Sequence, residues 1–347
     1  MYKELYLMLT TDCPNRCKYC YIKHDNRKSN MTSKEAILYI EKYKPDRVIM
    51  FGGEPLLKLD VIKDIYGMYS DTVFTPKFQI VTSTSINFKE FIDFQLETNM
   101  FSEIQLSWDG INGDRISTTN KDTGNNTFDN IKYAQSMGVP FDIKCVISEG
   151  NIDNLEYIHN TFLDFYRNKQ KISGQFVIAH RDYYSEEFFT KLEKSLPKTF
   201  TMERLYKDHL NKIIAYLQKD KRYSNCDGGK YTVVTPDGRE SYCTALSQDY
   251  SINISEQELQ EPCLHEDCKK CIYRFLCDGG CRYERYNKYK DMWRYNYLPS
   301  TCKIIKIYYN TIRNFLNSLN SNDIEKLYYT IERYREYQAK YHSSKEY

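Results

Sequence analysis

Eleven of the twelve cysteines in this 347-residue chain fall into two groups, and that grouping limits what the chain can become. Cys13, Cys17 and Cys20 lie close together near the start, Cys145 stands alone, and eight more fall between Cys226 and Cys302. The cysteine fraction is well below the roughly 8 to 10% of short secreted disulfide scaffolds, and the first thirteen residues hold only a short apolar stretch, too little for a secretory signal. Clustered thiols in a cytoplasmic chain, the expected location here, point to metal or redox chemistry. Lys plus Arg number 49 against 47 Asp plus Glu, which excludes a large field for nucleic acid or anionic lipid. Mean hydropathy is −0.68, and no apolar run approaches the roughly 18 residues that span a bilayer, so neither nucleic acid nor membrane is an expected partner. Aromatic residues make up 15% of the chain and oppose disorder, while the length suggests two domains at roughly 150 residues each.

Residues 1–182 alternate short apolar runs with stretches of helical period, which implies βα units and a parallel sheet. Strands are expected at Leu5–Thr11, Arg47–Phe51, Phe78–Thr82, Ile104–Ser107, Phe141–Ile147 and Gly174–Ala179. Helices are expected at Ser33–Lys44, Leu59–Tyr69, Asn87–Thr98, Thr127–Met137 and Asn154–Arg167, with capping residues at Thr32 or Ser33 and at Asn126 or Thr127. Six such units fit a partial (β/α)6 TIM-like barrel, with an open doubly wound sheet as the alternative. Residues 183–225 read as a charged helical connection. Residues 226–302 form an irregular cysteine-rich domain with one hairpin around Pro236, Asp237 and Gly238. Residues 303–347 carry two helical patterns, with Ile304, Ile307, Tyr308, Ile312 and Phe315 on one face, expected to pack back on the barrel.

The first three cysteines directly follow the first strand, so their thiolates converge on a loop at its carboxyl end, where active sites of α/β folds lie. Structural zinc wants four closed ligands, whereas a four-iron cluster held by three thiolates keeps one iron open for a small molecule. Zinc-binding or incidental cysteines remain the alternative. The CxxxCxxC loop, with Tyr19 immediately before Cys20, resembles that of the radical S-adenosylmethionine (SAM) superfamily. The resemblance implies a [4Fe–4S] cluster whose open iron chelates SAM and whose electron cleaves the sulfonium to a 5′-deoxyadenosyl radical.

Phe51-Gly52-Gly53-Glu54-Pro55 ends the second strand; its glycines permit close backbone approach and Glu54 can accept from an ammonium group, although a plain turn has the same composition. Beside the cysteine loop the segment resembles the family's GGE motif, which contacts the SAM amine. Thr82-Ser83-Thr84 stands where relatives often show Thr-Asn-Gly, and its hydroxyls can still bond the cofactor. Ser107-Trp108-Asp109-Gly110 resembles the family's Ser-x-Asp-Gly by the ribose. The arginine that many relatives carry before the fourth helix falls at Thr119, which leaves that role open, with Arg115 as a substitute. Cys145 reads as inert packing.

The second set runs Cys226, eleven residues, Gly238, four residues, Cys243, then Cys268, Cys271, Cys277, Cys281 and Cys302. The pattern resembles the SPASM extension of radical SAM enzymes; a zinc ribbon using Cys268 and Cys271 is the alternative. The resemblance implies one auxiliary iron–sulfur cluster on Cys268, Cys271, Cys277 and Cys302 and another on Cys226, Cys243 and Cys281. Cys263 either completes the latter or is a free thiol. The SPASM subfamily implies a maturase acting on a peptide or protein residue, with an external flavodoxin- or ferredoxin-type electron donor. Substrate capture falls to the barrel mouth, the tail or a separate recognition protein. Sulfatase maturation is less favoured, because Thr244 stands where that group has Asp. A radical SAM enzyme acting on a small molecule and a zinc-binding adaptor are the competing readings. His24, His180 and His265 receive no role, and no catalytic base is identified.

Overall fold

Leu5, Leu7 and Leu9 alternate with Tyr6, Met8 and Thr10 along the first strand, so the strand presents a wholly aliphatic face and a mixed one. A computed structural model, which describes residues 3–22, 29–167, 172–178, 184–219, 231–249, 251–252, 266–277, 280–289 and 298–342, shows what each face meets. Strands β1(Glu4–Thr10), β2(Arg47–Gly52), β3(Lys77–Thr82), β4(Phe101–Ser107), β5(Phe141–Ile147) and β6(Ile172–Ile178) alternate with helices α1(Ser33–Tyr43), α2(Leu59–Tyr69), α3(Phe88–Thr98), α4(Gly124–Ser136) and α5(Leu155–Arg167). After them come α6(Glu186–Ser195), α7(Lys207–Gln218), the hairpin β7(Tyr231–Val234) and β8(Glu240–Ser241), α8(Arg282–Tyr289), α9(Pro299–Ser318) and α10(Ser321–His342).

The sheet order is β6-β5-β4-β3-β2-β1-β7-β8, and every pair from β6 to β7 is parallel. Each βα unit adds its strand at the same edge with no reversal, whereas a doubly wound sheet reverses at a switch point. Right-handed crossovers in one direction put every helix on one face, as in the expected partial barrel. That face carries the core: Leu5, Leu7, Leu9, Val48, Met50, Ile80, Leu106, Ile143 and Ile147 pack with α1 to α5. Cys145 lies in the same core, fully buried, as inert packing requires. The opposite, concave face carries Met8, Phe51 and Val233, with Tyr6, Val81 and Tyr231 packed beside them. Toward its base Arg47 bridges Glu4 on β1 (3.4 Å) and Glu103 on β4 (3.7 Å), tying three strands together inside the bowl.

Local signals explain most of the element ends. Thr32 caps α1 with a full capping box: Glu35 N–H donates to Thr32 Oγ1 at 3.3 Å and Thr32 N–H donates to Glu35 Oε2 at 2.8 Å. Helix α4 begins at Gly124 rather than near Thr127, and its N-cap, Thr123, makes no side-chain cap bond. Thr127 is drawn inward instead, donating to the Ser83 carbonyl at 3.4 Å. The charged stretch expected as a connection forms α6 and α7, and Phe188, Leu192, Leu210 and Ile213 from them join the barrel core. The tail packs back as expected through Ile307, Tyr308 and Ile312, with Ile305 rather than Ile304 as the deeper neighbour. The hairpin is present but does not stand alone in the cysteine-rich region; its first strand pairs in parallel with β1, Leu5 facing Thr232 and Leu7 facing Val234. Among the described residues no helix is long and apolar enough to cross a membrane.

Candidate active site at the carboxyl ends of the strands

The loop leaving β1 is held by backbone bonds on two sides. On one, Gly53 N–H donates to the Thr10 carbonyl (2.7 Å) and Glu54 N–H to that of Asp12 (2.9 Å). A Cβ built on Gly52 or Gly53 would lie within 3.0 Å of the Thr10 or Asp12 carbonyl oxygen. The two glycines thus permit close approach between β2 and the cysteine loop, a use of glycine that differs from the expected approach to a cofactor. On the other side the segment after β4 clamps the loop: Arg16 N–H donates to the Ile116 carbonyl (2.7 Å), Lys18 N–H to that of Asp114 (3.0 Å), and Thr118 N–H to that of Pro14 (3.0 Å).

This clamp collects Cys13, Cys17 and Cys20, none of them in a disulfide. Each sulfur accepts a hydrogen bond: Cys13 from Asn15 N–H (3.3 Å), Cys17 from an Arg115 guanidinium N–H (3.7 Å), and Cys20 from Ile22 N–H. Burial pushes the Cys13 thiol up to about 12 and raises Cys17 and Cys20; Cys17 and Cys20 add to the rise at Cys13, and Cys17 to that at Cys20. Metal binding displaces the protons of such thiols, and the N–H donors already in place suit the thiolates that would result. The donor set therefore fits a thiolate-bound iron–sulfur cluster. Among the described residues no three His, Cys, Asp or Glu side chains converge as a site for a single metal ion would need.

Glu54, fully buried, accepts from Thr82 Oγ1 (2.6 Å), Ser83 N–H (2.8 Å), the Ser83 hydroxyl and Leu56 N–H (3.1 Å). Burial outweighs these four bonds and leaves its carboxyl above the ordinary value. The structure thus brings Glu54, Thr82 and Ser83 together, as a network among themselves. Asp109 is equally buried. Its Oδ1 accepts from Val146 N–H (2.8 Å), and its Oδ2 from Arg115 Nε (3.1 Å) and the Tyr19 hydroxyl. Arg115 lies over the Tyr19 ring at 5.8 Å. Ser107, the last residue of β4, sits opposite Lys144 in the sheet. Arg115 joins Asp109, the acid that follows the fourth strand, to the cysteine loop. Sequence reasoning missed its contact with Cys17 and the use of Asn15; polar residues interleaved with the cysteines were the available signal.

The second cysteine set is partly in view. Cys302 feels the charges of Cys268 and Cys271, which places these three in one neighbourhood, and Cys271 N–H donates to the Cys268 carbonyl at 3.2 Å. Cys277 ends a single helical turn, Arg274–Cys277, packed on the core. Cys281 begins the turn into α8, its carbonyl accepting from Arg285 N–H at 3.2 Å. Cys243 lies elsewhere, near Tyr21 and Tyr231, and the neighbouring Thr244 hydroxyl bonds to both phenols. That cluster of hydroxyls joins the residue after Cys20 to the hairpin, and no local pattern announces it. Cys226 and Cys263, with His24, His180 and His265, lie outside the described residues.

Residues 7–162 match the family model of the radical SAM superfamily. No protein with a curated description matches the sequence. Among solved structures, hexahistidine-tagged anSMEcpe with bound AdoMet superposes with a TM-score of 0.66 at 20% identity, covering 94% of this chain and 98% of that one. Native anSMEcpe with bound AdoMet and Cp18Cys peptide gives 0.66 and 20% over 91% and 99%. SuiB of Streptococcus suis bound to precursor peptide SuiA gives 0.53 and 14% over 86% and 75%. At these identities the likeness is one of fold. Residues 7–162 therefore carry a radical SAM domain, with three thiols, none of them in a disulfide, on the loop that leaves its first strand.

Proposed function

We propose that this enzyme matures a peptide or protein substrate by radical chemistry, holding a [4Fe–4S] cluster on Cys13, Cys17 and Cys20 and auxiliary clusters on the later cysteines. The observation that carries the reading is the trio of thiols, Cys13 and Cys17 half-buried and Cys20 exposed, each supplied with an N–H donor, on a loop clamped at the open end of a six-unit barrel. A cluster bound there supplies one electron for reductive cleavage of SAM to a 5′-deoxyadenosyl radical. The chain's own part is positional. Gly53, Glu54 and the 114–118 segment hold the loop, while Thr82 and Ser83 hold Glu54 at the rim where a SAM amine would sit. Below the rim, half-buried Tyr6 and Val81 flank the buried apolar cluster of the concave face, where a substrate residue can be shielded from water.

A peptide as substrate is supported by the two neighbours of similar fold that carry one, anSMEcpe with Cp18Cys peptide and SuiB with precursor peptide SuiA. For the auxiliary clusters, the gathering of Cys268, Cys271 and Cys302 supports the assignment with Cys277, and Cys243, Cys281 and Cys226 form the second set, with Cys263 as its fourth member. An external one-electron donor of low potential is required. Sulfatase maturation stays second, because Thr244 is engaged with Tyr21 and Tyr231 and provides no carboxylate.

The test is anaerobic incubation of the iron-loaded chain with SAM and a reductant. The parent should release 5′-deoxyadenosine, and Cys13→Ala/Cys17→Ala/Cys20→Ala should release none while retaining about eight of roughly twelve irons. Turnover by the triple variant would remove the assignment. Mass spectrometry of a co-expressed precursor peptide encoded beside the chain then reads the substrate class; a modified sulfatase in place of a modified peptide would reverse the ranking.

A further inference from the structure

Arg115 is the one cation that the fold places in hydrogen-bonding range of a first-loop thiol from outside that loop, among the described residues. Its side chain is 10% exposed and that of its partner Asp109 is 0% exposed, so solvent barely screens the pair. The geometry is polarised. Asp109 is pinned from behind by Val146 N–H at 2.8 Å, and it holds the guanidinium Nε at 3.1 Å. The opposite edge of the guanidinium is thereby turned to Cys17, with Nη1 3.7 Å from the sulfur. The positive end of the pair therefore faces the thiol and the negative end faces β5.

We infer that Arg115 is a positioning residue that sets the reduction potential of the first cluster, by directing a buried N–H and its charge at the Cys17 sulfur. This rests on the cluster assignment made above. Reduction adds one electron to the cluster and no atoms, so the reduced form carries one more negative charge on its sulfurs and irons. A donor aimed at a ligating sulfur stabilises that form preferentially and raises the potential, which eases electron entry from the external donor. Asp109 acts through Arg115: the carboxylate keeps the fork oriented, and β5 keeps the carboxylate in place. Arginine suits the task because its rigid fork can engage a carboxylate and a sulfur at once, which a lysine ammonium does only as a point charge.

The test is a redox titration followed by electron paramagnetic resonance on the full iron-loaded chain, the first cluster being the signal that changes when SAM is added. Arg115→Gln should titrate at a more negative midpoint. We expect the ratio of reduced to oxidised cluster at the parent's midpoint to fall about tenfold, about 59 mV for one electron. Arg115→Lys should fall between the two, since charge remains and the fork is lost. Iron counts confirm loading before each titration. Arg115→Gln titrating with the parent would overturn the inference. Should that variant fail to load its first cluster, Arg115→Lys decides, and an unchanged midpoint there overturns it equally. A parent chain with no SAM-responsive signal would instead overturn the cluster assignment itself.

Discussion

Gly53 has no room for a methyl group. Its N–H reaches the Thr10 carbonyl at 2.7 Å, and any Cβ would press on the Asp12 carbonyl oxygen, backbone against backbone, where no flexible side chain can yield. Overpacking of this kind costs typically about 1–3 kcal/mol, and here the strain falls on the loop that carries the cysteines. Gly53→Ala should lower the thermal midpoint and reduce iron content by about one third, about four of roughly twelve irons, while the later set stays loaded. Full iron with an unchanged midpoint would show that the loop does not need the close approach. The cysteines, Glu54 and Asp109 were legible because their types and spacing carry chemistry that few other arrangements need. Their partners were not. That Asp109 would be shared by Tyr19 and Arg115, or that Glu54 would take four donors, depends on where β3 and β4 end in space. A one-dimensional pattern does not contain that information.

At the scale of elements, the hairpin shows how a short local signal acquires a long-range role. Pro236-Asp237-Gly238 predicts a turn, and the turn is present: Thr235 N–H donates to the Arg239 carbonyl at 3.0 Å and Gly238 adopts a φ of +83°. What local signals omit is the docking. Strand β7 pairs with β1, Lys42 and Tyr43 of α1 grip Glu240, and the Tyr39 hydroxyl donates to the Gly238 carbonyl at 3.3 Å. The cysteine-rich region is thereby keyed to the same strand that launches the first cysteine loop, and Cys243 arrives beside Tyr21. An alanine at 238 must hold a left-handed φ and would bring its Cβ to 3.1 Å from that tyrosine oxygen. Gly238→Ala should therefore destabilise the chain by about 1–2 kcal/mol, read as a lowered denaturant midpoint. Gly138, also left-handed at φ +72° but with nothing near its Cβ, supplies the comparison: Gly138→Ala carries the backbone strain alone and should cost less. Equal losses would mean that the contact with α1 adds nothing. The pairing of β7 with β1 escaped sequence reading for a related reason. Four residues, YTVV, fit an isolated hairpin as well as a sheet edge, and only the free edge of β1 decides between them.

For the molecule as a whole, the join between barrel and carboxyl-terminal helices rests on two buried imidazoles. His209 of α7 stacks on Phe200 at 3.9 Å, and Phe200 in turn meets Phe315 of α9 at 5.9 Å. The Thr199 hydroxyl donates to the Leu196 carbonyl (2.8 Å), so at 3.4 Å from His209 Nε2 it is left to accept, which places the ring proton on Nε2 and leaves Nδ1 bare. His159 of α5 faces the Tyr206 hydroxyl through Nδ1 at 2.7 Å, and its Nε2 has no hydrogen-bond partner among the described residues. A second proton on either ring would have no acceptor. Burial accordingly lowers His209 to about 3 and His159 to about 4, from an ordinary 6.5. Glu203 and Glu156 favour the charged form of His159 and Arg167 opposes it; His159 and Lys212 oppose charge on His209. In the unfolded chain both rings take up protons near pH 6.5, whereas the folded chain refuses them until far lower. Their contribution is thus complete above about pH 6.5 and drains away as pH falls, by about 1.4 kcal/mol per unit for each ring, about 3 kcal/mol per unit together down to about pH 4. Measured from pH 7.5 to 4.5, the thermal midpoint of the parent should fall more steeply than that of His159→Gln/His209→Gln, whose amides do not titrate. Loss of iron in acid is common to both chains and cancels in the difference, so parallel slopes would place the acid lability in the clusters and acquit the join.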